Sequence, residues 1–290
     1  MLYSPFATPF IELLVEAFVY TGGLRTSNLT TRKYSAEEGD LVLSVDHGQT
    51  VRGIAVDQNG NFYTGGVRDS FLNITTRKYD FDGNRIWSVD HGNRVNAVAV
   101  DQNGFVYTGG VRAGFQSLST RKYDSDGNVI WSRNNGEEVN AVAVDQNGFV
   151  YTGGFRTSAI GGTNATTRKY NSNGTLIWSV NHNSTVRGVA VDQNGNVYTV
   201  GNRTGNLTTR KYDSDGTLIW SVDHGTTVSG IEVDQNGFVY TGGARTDVIG
   251  NQFATTRKYD SDGTLIWSVD HGDTVLGVDI FPPNKGAFLN

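Results

Sequence analysis

The chain has 290 residues, enough for one large domain or two ordinary ones. Its 24 Lys and Arg against 29 Asp and Glu leave a formal charge of −5, so no basic excess points to nucleic acid. The absence of Cys removes disulfide scaffolds, thiol nucleophiles and cysteine metal sites, and 37 Gly with 13 Tyr and 5 Trp describe a turn-rich, aromatic β composition rather than a helical bundle.

In chain order, residues 1–17 come first as an apolar arm carrying Phe6, Phe10, Ile11 and Leu14. No Lys or Arg precedes its apolar stretch and Glu12 interrupts it. The pattern is not that of a secretory signal, so synthesis and folding in the cytoplasm are expected. No stretch approaches about 18 apolar residues, and membrane insertion is not expected.

From Phe18 onward one unit recurs. The tripeptide Arg-Lys-Tyr begins at Arg32, Arg77, Arg121, Arg168, Arg210 and Arg257, at steps of 45, 44, 47, 42 and 47 residues. Unit 5 shows the pattern. Residues 186–191 alternate as a first strand, and Asp192-Gln-Asn-Gly195 supplies a hairpin whose Asn-Gly pair tolerates positive φ. Residues 196–199 make a second strand and 208–212 a third; Asp213-Ser-Asp-Gly216 turns the chain into a fourth at 217–222. Asp223-His-Gly225 leads to the next unit. No segment has a period near 3.6, so no helix is expected.

Four-stranded units at this period read as propeller blades. The first unit opens at 18–21 with a second strand, and the last ends at 275–280 with a first strand. The expectation is therefore all-β: a six-bladed β-propeller over residues 18–280, with four antiparallel strands per blade. Its closing blade takes three N-terminal strands and one C-terminal strand, which removes two open sheet edges. Residues 281–290, including Phe288, remain as a tail. The segment 11–15 competes for the innermost slot but lacks the Val-x-Gly pattern.

Gly53-Ile-Ala-Val-Asp-Gln-Asn-Gly-Asn-Phe-Tyr-Thr-Gly-Gly66, followed by Thr76-Arg-Lys-Tyr-Asp80 and Gly83-Asn-Arg-Ile-Trp-Ser88, resembles the bacterial β-propeller repeat family named for seven-bladed members. The likeness covers roughly residues 18–280 and implies the fold, here with six units. That family consists largely of surface and structural proteins of unassigned activity, so it implies little about function. In style, the near-identical repeats also resemble virion structural proteins of tailed bacteriophages.

Residues that recur in every unit argue against catalysis, because an active site needs a single constellation. All five His fall in one register (His47, His91, His182, His224 and His271), with Asn135 in the remaining place. A ring of imidazoles suggests a metal, but spacing round an axis holds them beyond ligand distances of about 2.1 Å. WD-repeat propellers, which these blades resemble in layout, use a His here for hydrogen bonding, and that role is expected. The Asp-x-Asp-Gly turns at Asp80, Asp124, Asp213 and Asp260 look like openings of calcium loops, yet Asn171-Ser-Asn-Gly174 keeps the turn and drops both charges. No cofactor or metal is expected. The Arg of Arg-Lys-Tyr is expected to point toward a neighbouring blade, partly buried and paired with Asp or carbonyls. Trp87, Trp131, Trp178, Trp220 and Trp267, with Leu43 in the sixth place, are expected to be inter-blade core.

What differs between units is the better pointer. The connections between second and third strands vary in length and carry Phe71, Leu72, Phe115, Ile160, Val248, Ile249 and Phe253. These residues either contact a partner or fold down as local plugs. With no Ser-His-Asp set or phosphate loop, an enzyme is not expected. The expected function is a structural or interaction subunit of a larger assembly, set in a bacteriophage virion (tail, baseplate or capsid accessory) and docked on other protein subunits through its termini. The alternative is a recognition module whose variable loops bind a cell-surface glycan or protein.

Overall fold

The computed structural model describes residues 18–271 apart from 27–28, 36–37, 47–49, 68–74, 92, 112–118, 136–137, 158–162, 183, 205–206, 224–226 and 247–251. The N-terminal arm, the expected closing strand at 275–280 and the C-terminal tail lie outside the described residues. Within them the chain is all-β: twenty-three strands and no helix. Among the described residues no helix is long and apolar enough to cross a membrane.

The strands form antiparallel meanders in chain order. Unit 1 has three, Phe18–Thr26, Leu29–Ser35 and Leu41–Val45. Unit 2 has four: Thr50–Val56, Phe62–Val67, Thr75–Tyr79 and Arg85–Asp90. Unit 3 runs from Val95–Val100 to Val129–Arg133, unit 4 from Glu138–Val144 to Leu176–His182, unit 5 from Val186–Val191 to Leu218–Val222, and unit 6 from Thr227–Val233 to Leu265–His271. The four-stranded antiparallel unit is thus observed as expected.

The hairpin turns differ in detail from the Asn-Gly expectation. In unit 2, Gly60 N–H donates to Asp57 O and Asp57 N–H donates to Asn61 O, with Gly60 at φ +76°. Asn59 therefore sits within a type I turn, and the glycine after it takes the left-handed bulge position. The Asp carboxylate locks the loop: Oδ1 accepts from the Asn59 and Asn61 amides, each at 2.9–3.0 Å. Competition from this side-chain acceptor is what favours the longer turn.

Two bulges shape every complete unit. In the first strand the register slips between Val51 and Gly53, leaving Arg52 as the extra residue; Asn96, Asn140, Arg187 and Ser229 stand at the same place. In the outermost strand the slip falls opposite Lys78 and Tyr79, so Ile86 is extra. A bulge brings consecutive side chains toward one side and bends the strand. It accounts for the exposure of both Leu218 (49 %) and Ile219 (52 %).

The core lies between units rather than within a sheet. One cluster joins Tyr63 of unit 2 to Val95, Val98, Val106 and Tyr123 of unit 3; another joins Ala141 and Tyr151 of unit 4 to Val186, Val189, Val197 and Tyr212 of unit 5. Successive first strands approach closely enough that a Cβ on Gly53 would stand 2.8 Å from Ala97 Cα. Only a hydrogen fits there, which is why a glycine interrupts the Val alternation.

Candidate functional site

Each junction between consecutive units is built from the repeated polar residues. Trp87 lies between Tyr63 of its own unit (centroids 6.1 Å apart) and Tyr123 of the next (6.4 Å), over Gly127. Its indole N–H donates to Ser125 O in the next unit's hairpin at 2.9 Å, and Lys78 Nζ donates to the same carbonyl at 3.3 Å. Trp131 with Lys122, Trp178 with Lys169 and Trp220 with Lys211 repeat this grip on Ser172, Ser214 and Ser261. The buried ammoniums lie over tyrosine rings, Lys169 Nζ being 5.5 Å from the Tyr151 centroid, so cation–π attraction offsets part of their desolvation. The expected inter-unit role of Trp87, Trp131, Trp178 and Trp220 is observed.

The arginines face the other way. Arg77 Nη1 donates to Asp46 O of the preceding unit, Arg121 to Asp90 O, Arg168 to Asn134 O and Arg257 to Asp223 O. These are carbonyl partners, one of the two kinds expected.

The described histidines are bonded to hydroxyls. His182 Nε2 meets Thr167 Oγ1 at 2.8 Å and its Nδ1 meets Tyr212 OH at 3.3 Å, so one imidazole ties its own unit to the next. His91 Nδ1 reaches across to Thr108 Oγ1 at 3.0 Å, while His271 Nε2 reaches Thr256 Oγ1 at 2.8 Å. A neutral imidazole accepts on one nitrogen and donates on the other, which suits the two hydroxyl partners of His182, whereas His91 Nε2 is buried without one. Burial, assisted by Arg121, pulls the His91 pKa down to about 3; burial and Arg210 pull that of His182 down to about 4. Asn135 performs the same task without a titratable group. Its Nδ2 donates to Thr120 and Thr152, and its Oδ1 accepts from Tyr170 OH. Among the described residues no three His, Asp or Glu gather as a metal site. His47 and His224 lie outside them.

The turn carboxylates are engaged internally. Asp101 Oδ2 accepts the Tyr107 hydroxyl at 2.9 Å while Oδ1 takes two backbone amides. The phenol is buried against that charge, and its pKa rises accordingly. Asn171 Oδ1 accepts the Asn173 and Thr175 amides just as Asp80 Oδ1 accepts those of Asp82 and Asn84. The geometry survives loss of the charge, as turn chemistry requires.

Of the residues singled out as partner contacts, Phe253 alone is described. It stands half-buried in the strand Gln252–Tyr259 opposite Arg245, inside the sheet rather than in a loop. Phe71, Leu72, Phe115, Ile160, Val248 and Ile249 fall outside the described residues, as do Phe6, Phe10, Ile11, Leu14 and Phe288.

Two features escaped the sequence reading. One is a rim of exposed apolar pairs on the outermost strands: Leu41 and Val42, Val129 and Ile130, Leu176 and Ile177, Leu218 and Ile219, Leu265 and Ile266, with Ile86 alone in unit 2, all 48–55 % exposed. The signal was the unalternated Leu-Ile or Val-Ile before four of the five Trp, Trp87 following Arg85-Ile86 instead. The other is a cleft of about 470 Å³ between units 3 and 4, bounded by Arg133, Asn134, Arg168 and Thr175. Asn135 and Asn171–Gly174 were visible as separate departures from the repeat; only folding brings them to one junction.

Residues 179–207 match a family model, spanning the connection through His182 and the opening hairpin of unit 5. The match is to a β-propeller repeat. Among solved structures, a protein of unknown function from Bacteroides caccae superposes with a TM-score of 0.59 at 15 % identity, over 88 % of this chain and 94 % of that one. The likeness concerns the fold alone. No curated protein matches the sequence.

Proposed function

We propose that the chain is a non-enzymatic interaction subunit of a larger assembly, built as a closed ring of six units. The observation that carries the non-enzymatic part is the use of the repeated Trp, Lys, Arg, His and Asp in bonds within and between units. Groups already holding carbonyls and hydroxyls are not poised to attack a substrate.

Closure is supported by two matching uncovered faces. Trp267 is 39 % exposed where Trp131 is 7 %, and Tyr34 is half-buried where Tyr79, Tyr123, Tyr170, Tyr212 and Tyr259 are 0–3 % exposed. Among the described residues no unit follows unit 6, and neither a preceding unit nor a first strand accompanies unit 1. Residues 275–280, with their Val-x-Gly-Val pattern, supply the strand that lets these faces meet.

The surface offered to other subunits is the apolar rim, since contiguous exposed apolar side chains mark protein contacts. A virion is the setting in which the repeat style places such a subunit; nothing in the comparisons bears on it. Exchanging Leu218, Ile219, Leu265 and Ile266 for Thr tests the rim away from the cleft, which Leu176 lines. The altered chain is expected to run at its own monomer mass in native source material while the original runs in a heavier particle. An original chain found free at monomer mass would refute the proposal. The second reading, recognition of a glycan, is favoured by a different observation, the junction between units 3 and 4.

A further inference from the structure

Four positions decide the charge of each junction: the residue after the Ser of the outermost strand, the one following it, and the first and third residues of the facing hairpin. At 1/2 they are Val45, Asp46, Asp80 and Asp82; at 2/3, Val89, Asp90, Asp124 and Asp126; at 5/6, Val222, Asp223, Asp260 and Asp262. Each set carries a formal charge of −3, and the 4/5 set, with Asn181, carries −2. At 3/4 the set is Arg133, Asn134, Asn171 and Asn173, with a charge of +1. In a chain of net charge −5, one junction has lost every carboxylate at these positions and gained a guanidinium.

An architectural reading of Arg133 does not account for the pattern. Its Nε donates to Gly174 O at 2.5 Å, Nη1 to Ser132 O at 2.8 Å and Nη2 to Asn173 O at 3.1 Å, so the fork clamps the hairpin. Such a clamp would gain from aspartates at 171 and 173 as counter-ions, and the four other facing hairpins, at Asp80, Asp124, Asp213 and Asp260, show that the turn accepts them. This hairpin discards them. The Trp131 ring, 5.5 Å from the Arg133 Cζ, adds a cation–π contact but no counter-charge, so at these four positions no carboxylate neutralises the cation.

The cleft provides the means. Each terminal nitrogen of Arg133 has a second N–H beyond its carbonyl bond, in the planar arrangement that suits a carboxylate. Arg168 Nη1 is bonded to Asn134 O, while its Nε is buried without a partner. Arg77 and Arg257 share that orphan nitrogen, but in junctions that carry carboxylates. Arg133, Arg168 and Tyr170 line the same cleft, so the two guanidiniums face one space. Thr175 and Asn134 line the space beside them, and its 470 Å³ is the scale of a small-molecule site rather than of a docked helix.

We propose that this cleft binds an acidic sugar, with the carboxylate of a uronic acid on Arg133 and the sugar hydroxyls on Asn134 and Thr175. The assignment rests on the recognition reading and not on the rim. An anion alone would make no use of the amide and hydroxyl lining, and a uronate uses both.

The test is calorimetric titration of the full chain with glucuronate, glucose, acetate, sulfate and an oligoglutamate peptide. The comparison protein is the triple variant Arg133→Val, Asn171→Asp, Asn173→Asp, which restores the combination other junctions already fold with. Glucuronate is expected to bind the original chain, glucose not to bind, and the variant to bind glucuronate at least about tenfold more weakly. Unchanged thermal unfolding of the variant would assign that loss to the site. A Kd for glucuronate above about 10 mM, or equal binding by both proteins, overturns the proposal. Acetate or sulfate binding as tightly as glucuronate overturns the sugar assignment, and tighter binding of an oligoglutamate peptide overturns the glycan source. None of these results touches the rim, whose test reads native mass.

Discussion

The buried histidines make the fold sensitive to mild acid in a way that can be calculated. His91 and His182 are held neutral, with pKa values near 3 and 4, by burial and by the nearby Arg121 and Arg210. Their other neighbours are hydroxyls: Thr108 for His91, and Thr167 and Tyr212 for His182. In the unfolded chain each imidazole titrates near 6.5. Between that value and the folded pKa the unfolded state binds the extra proton, so stability is full above about pH 7 and falls as the pH drops. At about pH 5 the loss is near 2 kcal/mol per histidine, or about 4 kcal/mol for the pair. Asp80, Asp124 and Asp213 have lowered pKa values, so their contribution is lost only at more acid pH.

Asn135 indicates how to remove the effect, since it keeps the bonds to Thr120, Thr152 and Tyr170 without a proton to gain. The double variant His91→Asn, His182→Asn is expected to match the original chain within about 1 kcal/mol at neutral pH and to exceed it at about pH 5. Urea midpoints across this range, supported by imidazole titration in NMR spectra, measure the difference. A double variant whose stability falls as steeply as that of the original would refute the reasoning, because the two imidazoles would then not be the linked groups.

Other expectations follow from the junctions. Lys169→Met and Trp178→Phe are each expected to cost about 1 kcal/mol, because Ser214 O keeps one donor in either variant. Together they orphan that carbonyl, so a double-mutant cycle in urea should show a loss larger than additive. Gly53→Val would place Cβ 2.8 Å from the Ala97 backbone, which cannot retreat, and is expected to lower stability by at least about 2 kcal/mol by thermal unfolding. Trp131→Ala is expected to cost about 3–5 kcal/mol, and Trp267→Ala a comparable amount if the ring closes over it. A Trp267→Ala variant of unchanged melting temperature would count against closure.

The repeating strand pattern was legible because local chemistry fixes it: alternating Val, turn glycines and aromatic third strands say the same thing in every unit. The inter-unit place of Trp87 and its equivalents was legible for the same reason. The hairpin type was misread, since Asn-Gly carries two turn solutions and the preceding Asp carboxylate, seen only with its acceptor geometry, selects the longer one. Exposure of Leu218 and Ile219 was hidden by the bulge opposite Lys211 and Tyr212, because alternation predicts one of the pair inward. The burial of Lys33 and its equivalents was not read from the sequence, where only the Arg of Arg-Lys-Tyr carried an expectation. They are buried because a carbonyl 3.1 Å away and an aromatic ring lie on the far side of a junction that no single unit contains.

A repeated fold separates architecture from function by comparison within one molecule. Any side chain that the five described junctions need is present in nearly all of them, so its chemistry is already spent on the junction. A departure costs stability unless something replaces the lost bond. Asn135 replaces a histidine at no loss of partners and therefore needs no further explanation. Arg133 does need one. It replaces a small apolar residue beside a hairpin stripped of the carboxylates that would have neutralised it. Its guanidinium is held by three carbonyls and lies 5.5 Å from the centroid of the Trp131 ring, partners that carry no formal negative charge. An anion would complete that shell, and this electrostatic remainder, rather than any repeated residue, is the ground for the ligand site proposed above.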